Sequence, residues 1–195
     1  MSSLSALENV HAKGQFGDLE GKDDKNLLSI SESANLLIVQ IVQYKNSNLS
    51  FDNMQIDGLN LRDNPSSVIC NDHTRILWSG PRNWLLVSKK KDILNEIEQK
   101  FNDNEFAVTD ISHSKAIIEI EGKEAKEILK KGCPFNFGGL EKNQCLNSTY
   151  NGMSVTIDML DDDPDKFRIF GLRSFGESLY HSITDASLEF GYIAK

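Results

Sequence analysis

Nowhere does this sequence hold the roughly 20 consecutive apolar residues that a membrane-spanning helix takes. Its start, M-S-S-L-S-A-L-E-N, also lacks the basic opening and apolar middle of a secretory signal. Both absences make the cytoplasm the expected location. Basic charge is short too: 21 Lys and Arg stand against 29 Asp and Glu, a net charge of -8. That is the wrong balance for a surface that neutralises phosphates or adheres to anionic lipid, so neither nucleic acid nor membrane is expected as a partner. Cysteine is scarce. Cys70, Cys133 and Cys145 are odd in number and show no C-x-x-C spacing, which argues against a disulfide framework or a zinc site and for reduced, mostly buried thiols.

Catalytic signatures are missing as well. There is no G-x-S-x-G, no G-x-G-x-x-G and no G-x-x-x-x-G-K-[ST], so no common nucleophile elbow, dinucleotide site or nucleotide site is expected. His73, His113 and His181 show no H-x-x-x-H or H-E-x-x-H spacing. The run Asp161, Asp162, Asp163, Pro164, Asp165 lacks the alternating ligands and terminal glutamate of an EF-hand loop, and reads as a solvated connection between strands. No catalytic, cofactor-binding or metal-ligating residue is assigned to this chain.

What the sequence does have is alternating strand and helix patterns over one core's worth of chain. At 195 residues and 39% hydrophobic, one domain over residues 34–195 is expected, preceded by a flexible arm at 1–33 with no sustained apolar period. Leu4, Leu7, Val10, Phe16, Leu19, Leu27 and Leu28 are scattered along that arm and can dock it on a partner.

Leu36–Tyr44 reads as a buried strand, and Phe51–Leu59 as a short helix. Ile76–Trp78 and Trp84–Val87 flank Gly80 and Pro81 as an antiparallel hairpin. A helix is expected from Lys89 to Phe101 on Ile93, Leu94, Ile97 and Phe101; its three opening lysines mark either an anionic partner's seat or an ordinary solvated turn. Phe106–Ser112 and Lys115–Glu121 read as a second hairpin, followed by a helix over Gly122–Lys131 that Gly132 closes. Asn151-Gly152 sets a tight turn between Gln144–Tyr150 and Met153–Met159. After the strand Lys166–Leu172, Ser174 and Glu177 form a capping box for a helix lined by Phe175, Leu179, Ile183, Ala186 and Phe190 and ended by Gly191. This order is close to two strand-helix-strand-strand-helix-strand units, which predicts an α+β fold of duplicated ferredoxin-like units whose sheets fuse around one core.

The pieces L-W-S-G-P-R-N-W-L-L-V (Leu77–Val87), D-I-S-H-S-K-A (Asp110–Ala116), K-G-C-P (Lys131–Pro134) and F-R-I-F-G-L-R-S-F (Phe167–Phe175), continuing to E-F-G (Glu189–Gly191), occur in an order and spacing that resembles the gamma subunits of heterotetrameric sarcosine oxidase. Asn136 stands where that family tends to place an aspartate, and Cys145-Leu146-Asn147-Ser148 replaces its usual C-x-Q-T. The K-G-C of Lys131–Cys133 is also similar to a signature of folate-binding proteins that assist iron-sulfur enzymes, but Pro134 follows and no G-Q-E succeeds it.

The gamma-subunit resemblance implies a fold similar to the folate-binding domain of aminomethyltransferase, the T-protein. It implies an accessory, non-catalytic chain in a complex with alpha, beta and delta subunits. FAD, FMN, NAD, tetrahydrofolate and zinc are then expected in those partners and no cofactor in this chain. Trp78, Arg82, Trp84 and Arg173 are the candidate interface residues, because Trp and Arg are enriched at binding hot spots. Two other readings stay open: a stand-alone folate-binding protein using Asp110 or Asp158, and a homo-oligomeric module.

Overall fold

A computed structural model describes residues 5–24, 27–50 and 54–195. Their contacts form two compact units: one holds the described residues up to Ala34 with His113–Lys142 and Leu146–Lys195, the other Asn35–Ser112 with Asn143–Cys145.

The first unit is built on a seven-stranded mixed sheet. Its strands are β1 (Gly14–Phe16), β2 (Leu28–Glu32), β10 (Lys115–Glu121), β11 (Cys145–Tyr150), β12 (Met153–Asp162), β13 (Asp165–Leu172) and β14 (Tyr192–Ala194), in the order β1-β14-β2-β10-β13-β12-β11. β1 with β14, β2 with β10, β10 with β13 and β12 with β13 pair antiparallel, and β14 with β2 pairs parallel. Two helices, α2 (Ala125–Gly132) and α3 (Gly176–Ser187), cover one face. Alternation selects that face: Ile118 and Ile120 of β10, Ile157 and Met159 of β12, and Phe167 and Ile169 of β13 join Ile128, Leu129, Leu179 and Ile183 in one buried cluster.

The second unit is a five-stranded antiparallel sheet in the order β6-β7-β8-β3-β9, from β3 (Leu37–Gln43), β6 (Val68–Cys70), β7 (Thr74–Gly80), β8 (Asn83–Ser88) and β9 (Phe106–Asp110). Helix α1 (Ile93–Lys100) and the small hairpin β4 (Gln55–Ile56) with β5 (Leu59–Asn60) supply the other side of its core. Ile93, Ile97 and Ile56 pack there with Val39, Ile41, Ile76, Trp84 and Leu86.

Several expectations are met locally. Leu37–Gln43 is a strand, the tryptophan segments pair, and Asn151 and Gly152 take φ of 47° and 82° as a type I′ turn requires. Others are corrected. The arm is no loose tail in its described part: β1 and β2 are strands of the seven-stranded sheet, and Leu7, Leu28 and Ile30 lie in its core. Of the apolar residues scattered along it, Leu7 and Leu28 lie in that core and Val10 and Phe16 pack against it, while Leu4 lies outside the described residues.

The helix expected over Phe51–Leu59 is absent where the chain is described, residues 51–53 lying outside. Asp57 and Gly58 take φ of 51° and 77° and turn the β4–β5 hairpin instead. The expected pairing of Phe106–Ser112 with Lys115–Glu121 does not form: β9 pairs with β3, and β10 with β13 and β2. Their connection lacks a residue made for positive φ, and Ser112 turns back through its N–H and hydroxyl onto Asp110 Oδ1, at 2.9 and 2.5 Å. The sheets stay separate rather than fused.

Helix ends differ too. Lys89–Lys91 precede α1 instead of opening it. Gly132 is the last residue of α2, not a left-handed cap beyond it. Ser174 caps nothing, because a 3-10 turn at Arg173–Phe175 runs directly into α3, and Glu177 accepts from Asn9 Nδ2 at 3.3 Å. Phe175 is accordingly 49% exposed and off the core face.

Candidate functional site

The tryptophan hairpin is a clamped structure. Trp78 and Trp84 are directly opposed across β7 and β8, and the register slips between Trp78 and Gly80 before the turn. Their indole N–H groups converge on one short segment: Trp78 Nε1 donates to Asp63 Oδ1 at 2.7 Å, and Trp84 Nε1 donates to the Arg62 carbonyl at 2.8 Å. Asp63 also accepts from the Arg82 backbone N–H through Oδ2 at 3.1 Å. One carboxylate therefore ties an indole to the turn that follows it. Arg82 sits at φ 56° in that turn, where its backbone carbonyl accepts from Gln43 N at 2.9 Å. Its guanidinium donates to the carbonyls of Tyr44 and Lys45 at 3.3 and 3.1 Å.

This corrects one candidate interface residue. Trp84 is 1% exposed in the second unit's core, so its large apolar area is already spent inside the fold and no partner can reach it. Trp78 and Arg82 are half-buried beside it at the turn end of the sheet. Tyr44, whose carbonyl Arg82 holds, is 41% exposed. Arg173 belongs to the first unit. There its backbone N–H donates to the Ser114 carbonyl at 2.8 Å, and its Nη2 to the Ser5 carbonyl at 3.3 Å.

A second polar centre was not singled out by the sequence. Asp57, at the tip of the β4–β5 hairpin, accepts from Lys90 Nζ and Thr74 Oγ1, each at 2.7 Å, and from Asn71 Nδ2 at 3.0 Å. Thr74 Oγ1 is also 2.9 Å from Ser88 Oγ. The hydrogen bond from Lys90, helped by Asn71 and Thr74 and opposed by burial, lowers the Asp57 pKa from 3.8 to about 2. Its donors are internal, so the arrangement fixes the hairpin against β7 and the residues before α1. The Asp-Gly dipeptide was the available signal for it.

The thiols are structural in setting. Cys133 is 3% exposed with Sγ 3.2 Å from Ser148 Oγ, and the Cys145 thiol faces the Trp78 carbonyl at 3.4 Å. Asp158 is fully buried, whereas Asp110 is exposed and engaged by Ser112. Among the described residues no group of three or more His, Cys, Asp or Glu side chains is arranged to hold a metal ion. No described helix is long and apolar enough to cross a membrane.

No family model matches the chain. Sarcosine oxidase subunit gamma from Corynebacterium sp. (strain U-96) is 25% identical over 118 residues, which are 60% of this chain and 58% of that protein. The subunit of the same name from Corynebacterium sp. (strain P-1) matches with the same identity and coverage. The match thus spans less than two thirds of either relative's length. A chain of the heterotetrameric sarcosine oxidase from Corynebacterium sp. U-96, solved in complex with pyrrole 2-carboxylate, superposes with a TM-score of 0.76 at 20% identity, covering 87% of each chain. Aminomethyltransferase T of the glycine cleavage system from Bartonella henselae superposes with a TM-score of 0.59 at 12% identity, over 80% of this chain and 45% of that one. The fold is the α+β, T-protein-like arrangement that the element order and the resemblance led to. The chain resembles sarcosine oxidase subunit gamma in sequence.

Proposed function

We propose that this chain is the accessory gamma subunit of a heterotetrameric sarcosine oxidase. The complex would oxidatively demethylate sarcosine to glycine, pass the electrons to oxygen to give peroxide, and deliver the one-carbon unit to tetrahydrofolate. The carrying observation is that relatives bearing the gamma-subunit name match in sequence, while a chain of a solved sarcosine oxidase matches in fold over 87% of both lengths.

On this reading the chain works by shape and not by chemistry. Its partners are alpha, beta and delta subunits in the cytoplasm. FAD, FMN, NAD, the folate site and zinc belong to those partners. Trp78 and Arg82 at the hairpin end, and Arg173 in the first unit, are the interface residues, with Trp84 holding the hairpin from within. The tryptophan hairpin suits such a role because its turn is fixed from both sides, by Asp63 and by the end of β3. A prefixed surface loses little conformational entropy on docking.

The test is co-expression of the tagged chain with the alpha, beta and delta subunits, scored by flavin absorbance and sarcosine-dependent peroxide formation. A yellow, active four-subunit complex on the tag is the expected result. A chain that purifies alone, while the other three subunits keep full rate and stability without it, overturns the proposal.

A further inference from the structure

Among the described residues, Lys90, Lys126 and Lys166 are half-buried lysines that each end on a carboxylate: Asp57 at 2.7 Å, Asp165 at 2.9 Å and Glu121 at 2.7 Å. Lys115 is half-buried too, but its ammonium meets no carboxylate or other acceptor among the described residues.

The register explains why no counter-charge reaches it. Lys115 opens β10, shares a face with Ile117 by alternation, and stands opposite Leu172 of β13 and diagonal to Phe170. Ile117 is 5% exposed and Phe170 1%, so the neighbours it has on this face are apolar. The first carboxylate along this face of β10 is Glu119, roughly 13 Å farther on, and Glu119 is bound to Arg168 Nη2 at 2.8 Å. The ionisable residues nearest Lys115 along the two strands, His113 and Arg173, have no negative charge to offer. An ammonium that loses water and gains no partner is disfavoured against the neutral amine. Burial, as the sole cause, accordingly lowers the Lys115 pKa below 10.5.

A neutral amine has a free lone pair, and desolvation in apolar surroundings is a known way of activating a lysine as a nucleophile. We propose that Lys115 is the nucleophilic lysine of this chain, set to be acylated by small activated acyl groups such as acyl thioesters near neutral pH. Its nitrogen attacks the acyl carbon, the C–N bond forms, the C–S bond breaks and the thiolate leaves with the bonding pair. The proton released from nitrogen goes to solvent. The product amide is uncharged, so the modification removes the unpaired cation. Half-burial limits the site to small groups. This inference does not depend on the subunit assignment.

The experiment uses the full chain and acetic anhydride as the acyl probe, in trace amount and isotopically labelled, at a series of pH values from 6.5 to 10.5. Remaining amines are then acylated with unlabelled reagent in denaturant, and the label at each lysine is read by peptide mass spectrometry. Accessibility scales the height of a lysine's rate profile, whereas its pKa sets the pH at which the profile levels off, so the two are separable. Lys115 is expected to level off at lower pH than Lys126, Lys166 and the exposed Lys123, and to outpace each of them at pH 7 by about threefold or more. In urea the four profiles should coincide. Leu172→Glu places a carboxylate directly opposite Lys115 at a position already 43% exposed, and should return the Lys115 profile to that of Lys123 while the Lys123 profile stays put. A folded chain in which Lys115 levels off with Lys123, or reacts no faster than it at pH 7, overturns the proposal. So does a Lys115 profile that Leu172→Glu leaves unmoved, since the missing counter-charge would then not be what activates it.

Discussion

The ring of Tyr150 fills the space that a side chain on Gly132 would need: a Cβ at Gly132 would lie 2.6 Å from Tyr150 Cζ. The ring is fully buried, its hydroxyl donates to the Ile128 carbonyl at 3.1 Å, and burial pushes its pKa up to about 12. It has no easy way to retreat. In an open helix Gly→Ala gains up to about 1 kcal/mol, and because Gly132 has ordinary helical backbone that gain is available in principle. Overpacking against Tyr150 costs about 1–3 kcal/mol and should win. Gly132→Ala is therefore expected to lower the urea midpoint, and a raised midpoint would show that the contact is slack.

Leu7 tests the arm. It is fully buried in the core of the first unit, among residues of the sheet and α3, and its neighbourhood is pinned by Ser5 on Glu32 and by the Leu7 N–H on Ser5 Oγ at 2.9 Å. Leu7→Ala should destabilise the protein by about 2–4 kcal/mol, as deletion of a buried leucine side chain does. A freely solvated arm would give no measurable change in denaturant unfolding.

What was legible in the sequence was what local chemistry decides. Asn151-Gly152 demanded positive φ, alternation in β10 marked its two faces, and the tryptophan hairpin was framed by its turn. What was missed depends on partners distant in the chain. Leu28 and Ile30 look like strays in a polar arm until β2 pairs with β10 more than eighty positions away, and nothing in the arm's own pattern encodes that. The β4–β5 strands are two residues each, too short for period-two alternation to show, so the Asp57-Gly58 signal was overridden by a weak helical one. At the candidate site the tryptophans stood out, but their acceptors did not. Arg62 and Asp63 carry no motif and meet the indoles only once β7 and β8 have folded over them.

Asp57 gives the chain a specific acid sensitivity. Its folded pKa, about 2, lies below the ordinary 3.8, so its contribution is present above about pH 4 and is lost as pH falls toward 2. Linkage over that interval is worth on the order of 1–2 kcal/mol at neutral pH for a mostly buried group. Asp57→Asn keeps a residue tolerant of the left-handed backbone and removes only the charge. The variant should be less stable at pH 7, and its deficit should shrink between pH 4 and pH 2. A deficit that stays constant across that window would assign the loss to hydrogen-bond geometry instead.

Asp63 is the residue on which the hairpin's rigidity depends. It accepts from the Trp78 indole and the Arg82 backbone with separate oxygens, so Asp63→Ala leaves two part-buried donors without partners. Hydrogen bonds to a charged acceptor are worth about 1.5–3 kcal/mol each when one side is removed, less where water can substitute. A loss of about 2 kcal/mol is expected, together with a red shift of tryptophan emission as the Trp78 indole meets water. Trp84 should contribute little to that shift, because its donor is satisfied by the Arg62 carbonyl and its ring stays in the core. Adding Trp78→Phe to Asp63→Ala should therefore abolish the shift while costing less than the sum of the two single losses, since both remove the same bond. Additive losses would mean that Asp63 acts on the turn alone, and the clamp between indole and turn would then be two independent contacts.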